Sequence, residues 1–232
     1  MIKRNLLLAA AIAVLPGLAF SQVSKSGSGY LLRLKFKAGT TQKYTVTTHV
    51  SGLPSNAPGS ENGVLILEGP LVQAVKSVAG AVATITANVG PFTLKGTETE
   101  ASSAQSATFQ MDALGNIVGA QKQGGGFGVH FPKEIVKIDG TWTAVAALPG
   151  TMGGTGSAKT TYRFKGIKTV NKKKLADITL AMTPFSLVKS GSGEVFVSPV
   201  DGSLVSMTLN LTLSNPQGGP DMKVTTSIVP AK

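Results

Sequence analysis

Apolar and polar residues alternate along most of this chain. The dominant period is two, that of a strand with one face buried. In Tyr30–Lys37, Tyr30, Leu32, Leu34 and Phe36 share one face, while Arg33, Lys35 and Lys37 share the other. Lys43–Val50 repeats the pattern with Tyr44, Val46 and Val50 inward. Val82–Val89 sets Ala83, Ile85, Ala87 and Val89 against Thr84, Thr86 and Asn88. Ser106–Met111 places Ala107, Phe109 and Met111 inward. Lys159–Lys168 carries Tyr162 and Phe164 on one face, and Leu175–Met182 groups Ile178, Leu180 and Met182. The longest run is Leu204–Leu213, with Val205, Met207, Leu209, Leu211 and Leu213 against Ser206, Thr208, Asn210 and Thr212. It predicts a strand about 30 Å long. Met222–Val229 keeps Met222, Val224 and Ile228 in phase. Val64–Leu67 and Leu71–Val78 are apolar enough for two more strands, with a less regular phase.

Turn signals separate these runs. Gly39-Thr40, Asp112-Ala113-Leu114-Gly115-Asn116 and Asn171-Lys172-Lys173-Lys174 each lie between two strand patterns. Asp201-Gly202, between Val195–Ser198 and Leu204, is a short-hairpin signal. Links this short join antiparallel neighbours. No stretch of ten residues carries a capped 3.6-residue stripe; one helical turn near Thr99–Ser103 is the most the sequence allows. Longer Gly-rich or polar stretches at 22–29, 51–62, 121–128, 149–157 and 214–220 read as loops. Residues 149–157 read as a mobile loop in preference to a domain linker. The pattern predicts an all-β protein. Its antiparallel meander forms a curved sheet or partly open barrel, with a two-sheet β-sandwich as the alternative. The expected organisation is a signal peptide at 1–21, a flexible segment at 22–29 and a single all-β domain at 30–232.

The first residues set the compartment. Lys3 and Arg4, the apolar stretch Leu6–Ala19, and small residues around a cut after Ala19-Phe20-Ser21 have the layout of a secretory signal. The apolar run is too short to span a bilayer core of about 30 Å comfortably. The expectation is an exported bacterial protein, periplasmic or extracellular, with no membrane span once the signal is cut. The chain has no Cys, which excludes disulfides, thiolate ligands and a Cys nucleophile. Removing residues 1–21 leaves 20 basic against 11 acidic residues, a net charge of +9. Such a surface attracts anionic partners. The densest basic run, Lys172–Lys174, falls in a turn signal and reads as a solvated turn before a specific anion site.

Candidate chemistry is sparse. His49 falls on the outward phase of its strand, and His130 lies between a Gly-rich loop and Phe131-Pro132. Both read as surface or loop histidines, with a ligand or general base as the alternative. Two His cannot make a three-His metal site. Glu98 and Glu100 would lie about 7 Å apart on an extended segment, within glycosidase range, but in a polar stretch that reads as a loop edge. Gly27-Ser28-Gly29 and Gly191-Ser192-Gly193 lack the outer glycines and following helix of a hydrolase elbow, and read as flexible strand starts. Gly124-Gly125-Gly126-Phe127-Gly128 has no Lys-Ser/Thr partner for a phosphate loop. Trp142 reads as a core or rim anchor before a stacking platform. Aromatics make up only 6% of the chain and do not interleave with the bases, which disfavours nucleic acid despite the charge. Thr-x-Thr recurs at Thr45/Thr47, Thr84/Thr86, Thr97/Thr99 and Thr141/Thr143, too irregularly for a binding array. Asn210-Leu211-Thr212 matches a glycan acceptor by chance. No catalytic or metal-binding residue and no cofactor is assigned.

Five segments in order carry a family resemblance. They are Leu32–Gly39 running into Tyr44–Thr48; Met111-Asp-Ala-Leu-Gly-Asn-Ile117; Phe131-Pro132 leading to Val136–Trp142; Tyr162–Val170 with its basic turn; and Gly191–Val197 running into Asp201–Val205. Together they resemble an exported bacterial β-rich family, domain of unknown function 6263. Asp139-Gly140-Thr141-Trp142 stands where that family has Gly-Asp-Ser-Trp. The resemblance implies a curved antiparallel sheet, similar to the periplasmic lipoprotein carriers, and brings no catalytic residues. The expected function is non-enzymatic: binding of a lipid or other apolar ligand in the concave sheet face. Small or pliable inward residues (Ala83, Ala87, Ala107, Met111, Met182, Met207) would leave room there. The alternative is an envelope structural or interaction module whose basic loops contact anionic polymers.

Overall fold

The computed structural model describes residues 21–55, 57, 59–97, 99–119, 129–147, 157–200, 203–215 and 219–232. Fifteen strands run through them: β1 (Ser21–Ser26), β2 (Gly29–Leu34), β3 (Thr41–Ser51), β4 (Val64–Ala79), β5 (Val82–Val89), β6 (Phe92–Leu94), β7 (Glu100–Ser102), β8 (Gln105–Asp112), β9 (Ile117–Val118), β10 (Thr141–Ala147), β11 (Ser157–Val170), β12 (Lys173–Met182), β13 (Val188–Val197), β14 (Leu204–Leu213) and β15 (Met222–Pro230). β1 and β2 form a separate hairpin. The other strands form one antiparallel sheet of 13, in the order β10-β11-β12-β13-β14-β15-β3-β4-β5-β8-β9, with β6 beside β4 and β7 beside β6. The sheet is not closed into a barrel; β10 and β9 are its two ends. There is no helix among the described residues, and the place kept for a helical turn, Thr99–Ser103, holds β7.

The chain is two meanders joined where its last strand, β15, pairs with β3, Val224 opposite Val50 and Ile228 opposite Val46. Inward side chains from every long strand join one cluster, with Val46, Val50, Phe164, Ile178, Val195 and Ile228 each at 0% exposure. A single sheet buries one face only by curving over itself or being covered. The hairpin supplies part of the cover, adding Val23, Leu32 and Leu34 to the same cluster. Each such side chain contributes about 1.5–3 kcal/mol by leaving water. Residues 22–29, expected to be flexible, are therefore a strand and its turn. Five register pairs with β2, from Gln22 to Ser26, hold them, and the buried Val23 anchors them.

Loop 129–140 locks this hairpin in place. Tyr30 and Val136 exchange two backbone hydrogen bonds, of 2.8 and 2.9 Å. Arg33 donates to the carbonyls of Pro132 (2.6 Å) and Lys133 (2.5 Å). Leu34 N–H donates to Ala113 O, and Phe131 N–H to Leu114 O, both at 2.8 Å.

Three local readings change. Val64–Leu67 and Leu71–Val78 are one 16-residue strand, β4, because Gly69-Pro70 is accommodated inside it. Pro70 accepts from Gly90 N–H through its carbonyl, so its nitrogen faces the same side, where β5 has ended and β6 begins. No ladder donor is needed there. A Cβ on the inward Gly69 would meet Pro91 O at 2.7 Å and the Phe92 ring at 2.9 Å. Second, Gly191-Ser192-Gly193 is the middle of β13, and Gly27-Ser28-Gly29 spans the β1–β2 turn. A Cβ on Gly191 would lie 2.8 Å from Met182 Sδ, so that glycine clears room for a core side chain. Third, Ala107 keeps the inward phase but is exposed, since β8 is covered only from Phe109 onward.

Candidate functional site

The two histidines do not meet. His49 is exposed on the outward face of β3, opposite Thr225 and Ile66. His130, read as a surface or loop histidine, does lie in loop 129–140, packed at the junction of that loop with the sheet. Its ring lies 6.5 Å from that of Tyr162, and its Nδ1 is 3.3 Å from Asn116 Oδ1. Its carbonyl accepts the Trp142 indole N–H at 2.6 Å. Trp142 in turn stacks on Tyr162, with centroids 5.5 Å apart and planes at 11°. Burial pulls the His130 pKa below its ordinary 6.5, and the nearby Asp112 carboxylate opposes this in part. A neutral ring with Nδ1–H toward Asn116 leaves Nε2 as a buried acceptor, and it has no partner. Burial also raises the Tyr162 hydroxyl pKa, partly offset by hydrogen bonds with the His130 backbone and Thr160. This cluster anchors a loop and offers no acid–base pair.

The turn behind it is built by Asp112. Its Oδ1 accepts from Leu114 N–H and Asn116 N–H, and its Oδ2 from Asn116 Nδ2, each at 2.9 Å. Gly115 adopts φ +86°. A Cβ there would collide with the carbonyl oxygen of Val129.

The other candidates are dispersed. Glu100 is exposed in β7; Glu98, the glycine loop 124–128, residues 149–156 and residues 1–20 lie outside the described residues. Asn210, exposed on β14, accepts from Thr225 Oγ1 at 2.8 Å. Thr86 and Thr108 are linked across β5 and β8 at 2.9 Å. Among the described residues, no group of three or more His, Asp or Glu is placed to hold a metal ion. The inward Ala83, Ala87, Met111, Met182 and Met207 are at most 7% exposed, so the side chains around them fill the concave face.

Charge is the strongest local feature. Residues 133–177 hold nine Lys or Arg and three acids, an excess of six in a chain whose total is +11. Arg163 and Lys165, two residues apart in β11, share one face and both reach one acid, and a β-bulge lies between Phe164 and Gly166. Asp139 Oδ1 lies 2.9 Å from Arg163 Nη2 and 3.1 Å from Lys165 Nζ. The Lys165 hydrogen bond, aided by Arg163, holds the exposed Asp139 carboxyl below the usual carboxylate range. Further along the outer face, Lys168 Nζ sits 5.4 Å from the Phe196 ring centroid and 4.0 Å from Asp177 Oδ2. Asp177 is 6% exposed and its Oδ1 has no partner. Burial raises its pKa, with Lys168 and then Lys165 pulling the other way. Lys172 and Lys173 follow, exposed at the β11–β12 turn, where Asn171 (φ 48°) and Lys172 (φ 65°) make the left-handed pair of a two-residue hairpin.

No protein-family model matches the chain, so the resemblance carried by its five segments rests on those segments alone. No curated protein matches either. Among solved structures, a DUF1329 family protein from Desulfovibrio piger is similar at a TM-score of 0.21 and 8% identity, over 82% of this chain and 84% of that one. A likeness that weak carries no argument about fold or function.

Proposed function

We propose that this protein is an exported, non-catalytic binding module that meets an anionic partner with the outer face formed by loop 129–140, β11 and β12. The observation that carries this reading is the excess of six positive charges within 133–177, on a loop and two strands that are bonded neighbours. Among the described residues, only Asp139 and Asp177 take ion pairs from that stretch, so most of its bases remain available to a partner. The filled concave face weighs against an apolar ligand held inside the sheet, because a carrier needs room that these side chains already occupy. Surface charge steers an anionic partner and makes binding fall with salt.

The test is binding of fluorescently labelled dextran sulfate as ionic strength is raised. Binding that weakens with salt and drops in a Lys165→Glu/Lys168→Glu variant supports the basic face. Binding equal in wild type and variant sinks it. A lipid found by native mass spectrometry at one per chain would return the interior reading to first place.

A further inference from the structure

The basic face carries two exposed isoleucines that charge alone does not explain. Ile135 and Ile138 are 51% and 55% exposed, on a loop that also presents Lys133 and Lys137 together with Glu134 and Asp139, so that the excess of bases beside them comes from β11 and β12. They are not there because the loop is loose. Val136 between them is buried and bonded both ways to Tyr30. Asp139 N–H donates to Phe164 O at 2.6 Å, and Phe164 N–H returns a bond to Gly140 O at 3.0 Å. Ile138 rests on Gly166, next to the bulge at Lys165. The loop therefore holds two large apolar side chains beside a concentration of bases.

We infer that the anionic partner is a bilayer surface with acidic head groups, and that Ile135 and Ile138 enter its interface while the lysines stay at head-group level. This rests on the basic-face reading and deepens it. Charge complementarity selects an acidic surface, worth about fivefold in binding per Lys or Arg close to it. The isoleucines select a bilayer over a soluble polyanion. A hydrated polymer would leave both in water, whereas an interface takes them out of it. Among the described residues, no helix is long and apolar enough to cross a membrane, so contact of this kind is peripheral.

The experiment is flotation of the protein with vesicles of phosphatidylcholine containing phosphatidylglycerol, and with phosphatidylcholine alone, alongside labelled dextran sulfate. Wild type floats with the acidic vesicles and not the neutral ones. Ile135→Ser/Ile138→Ser lowers acidic-vesicle binding about tenfold, the effect of leaving two half-exposed isoleucines in water. The same variant binds dextran sulfate as wild type does, and a cooperative urea transition shows that it is folded. The chain has no Cys, so Ile138→Cys carries a polarity-sensitive dye at a unique site. Its emission shifts to the blue on acidic vesicles. No flotation with retained dextran sulfate binding overturns the bilayer and leaves the basic face standing. No binding to either overturns both. Flotation unaffected by the Ser variant, or with no blue shift, overturns docking through this loop.

Discussion

Replacing Asp112 by Ala removes the acceptor for three hydrogen bonds, to Leu114 N–H, Asn116 N–H and Asn116 Nδ2. Bonds to an ionised acceptor are the stronger kind, but here only the one to Leu114 is part-buried, and the freed donors regain water. The expected cost is about 2–3 kcal/mol, more than a helix-cap loss and less than three buried bonds. For a chain of this length that lowers the Tm by about 8 °C. The loss reaches past the turn, because Ala113 O and Leu114 O take bonds from Leu34 and Phe131, and Asn116 meets His130. Asp112→Asn keeps an acceptor at Oδ1 and should cost about 1 kcal/mol. A second readout separates the turn from a general loss of packing. The Asp112 charge holds the His130 pKa up against burial, so in Asp112→Asn it falls further below 6.5. Urea denaturation gives the stability, and ring-proton NMR gives the titration. An Asp112→Ala cost under about 0.5 kcal/mol, with an unmoved His130 titration, would refute the account, since surface changes of no consequence stay within that range.

His130 binds its proton more weakly folded than unfolded, so its contribution is fully present above pH 6.5 and fades as pH falls below it. Urea midpoints taken between pH 7 and 5 should decline in wild type and decline less in His130→Phe; equal slopes would count against the buried ring. Asp177 has the opposite sign: its raised pKa means that ionising it weakens the fold as pH rises from about the ordinary 3.8. Asp177→Asn should therefore be more stable by about 1 kcal/mol at pH 7, with the gain shrinking toward pH 4. A less stable variant at pH 7 would mean that the Lys168 pair outweighs the burial. Gly193→Ala places a Cβ 2.6 Å from Thr208 O and 3.2 Å from Leu180 Cγ. A backbone oxygen yields little, so thermal melting should show a loss of about 3 kcal/mol; an unchanged melt would mean that β13 shifts freely.

The strand pattern was legible because the phase of two survives wherever one face is packed. In β3 the buried positions alternate without a break, Thr48 completing the series through its bond to Thr226 at 3.2 Å, and in β14 they do so from Met207 to Leu213, a register shift beside Val197 having put Leu204 inward in place of Val205. The pattern failed where glycine stands in for a core residue. Gly69, Gly191 and Gly193 face inward, but their contribution is the space they leave for Phe92, Met182, Leu180 and the Thr208 backbone. Hydropathy cannot register a vacancy filled from a neighbouring strand. That is why β4 read as two strands and the middle of β13 as a flexible start. The pairing of β15 with β3 is illegible for another reason. It joins residues such as Thr48 and Thr226, 178 positions apart, and a two-residue period says which face is buried, not which strand lies alongside.

The same limit applies to the surface. A run of lysines in a turn is visible in sequence, but the basic face depends on register. The bulge between Phe164 and Gly166 shifts the phase of β11 so that Gly166 stands opposite Asp177, and pairing of Asp177 with both Gly166 and Phe196 buries an acid on the outer face. Alternation alone assigns Asp177 to solvent, because Ile178 beside it faces the core. Gly166 has no side chain to lie over it, and Lys168 reaches across from β11 toward it and Phe196. An acid kept there at a cost to folding makes sense if it sets where Lys168 rests, since a partner's acidic group must draw that lysine away from Asp177 and Phe196. On this argument Asp177→Asn, though more stable, should bind dextran sulfate more tightly than wild type at low salt, because Lys168 is freed and one negative charge is gone. Equal or weaker binding would place Lys168 outside the contact.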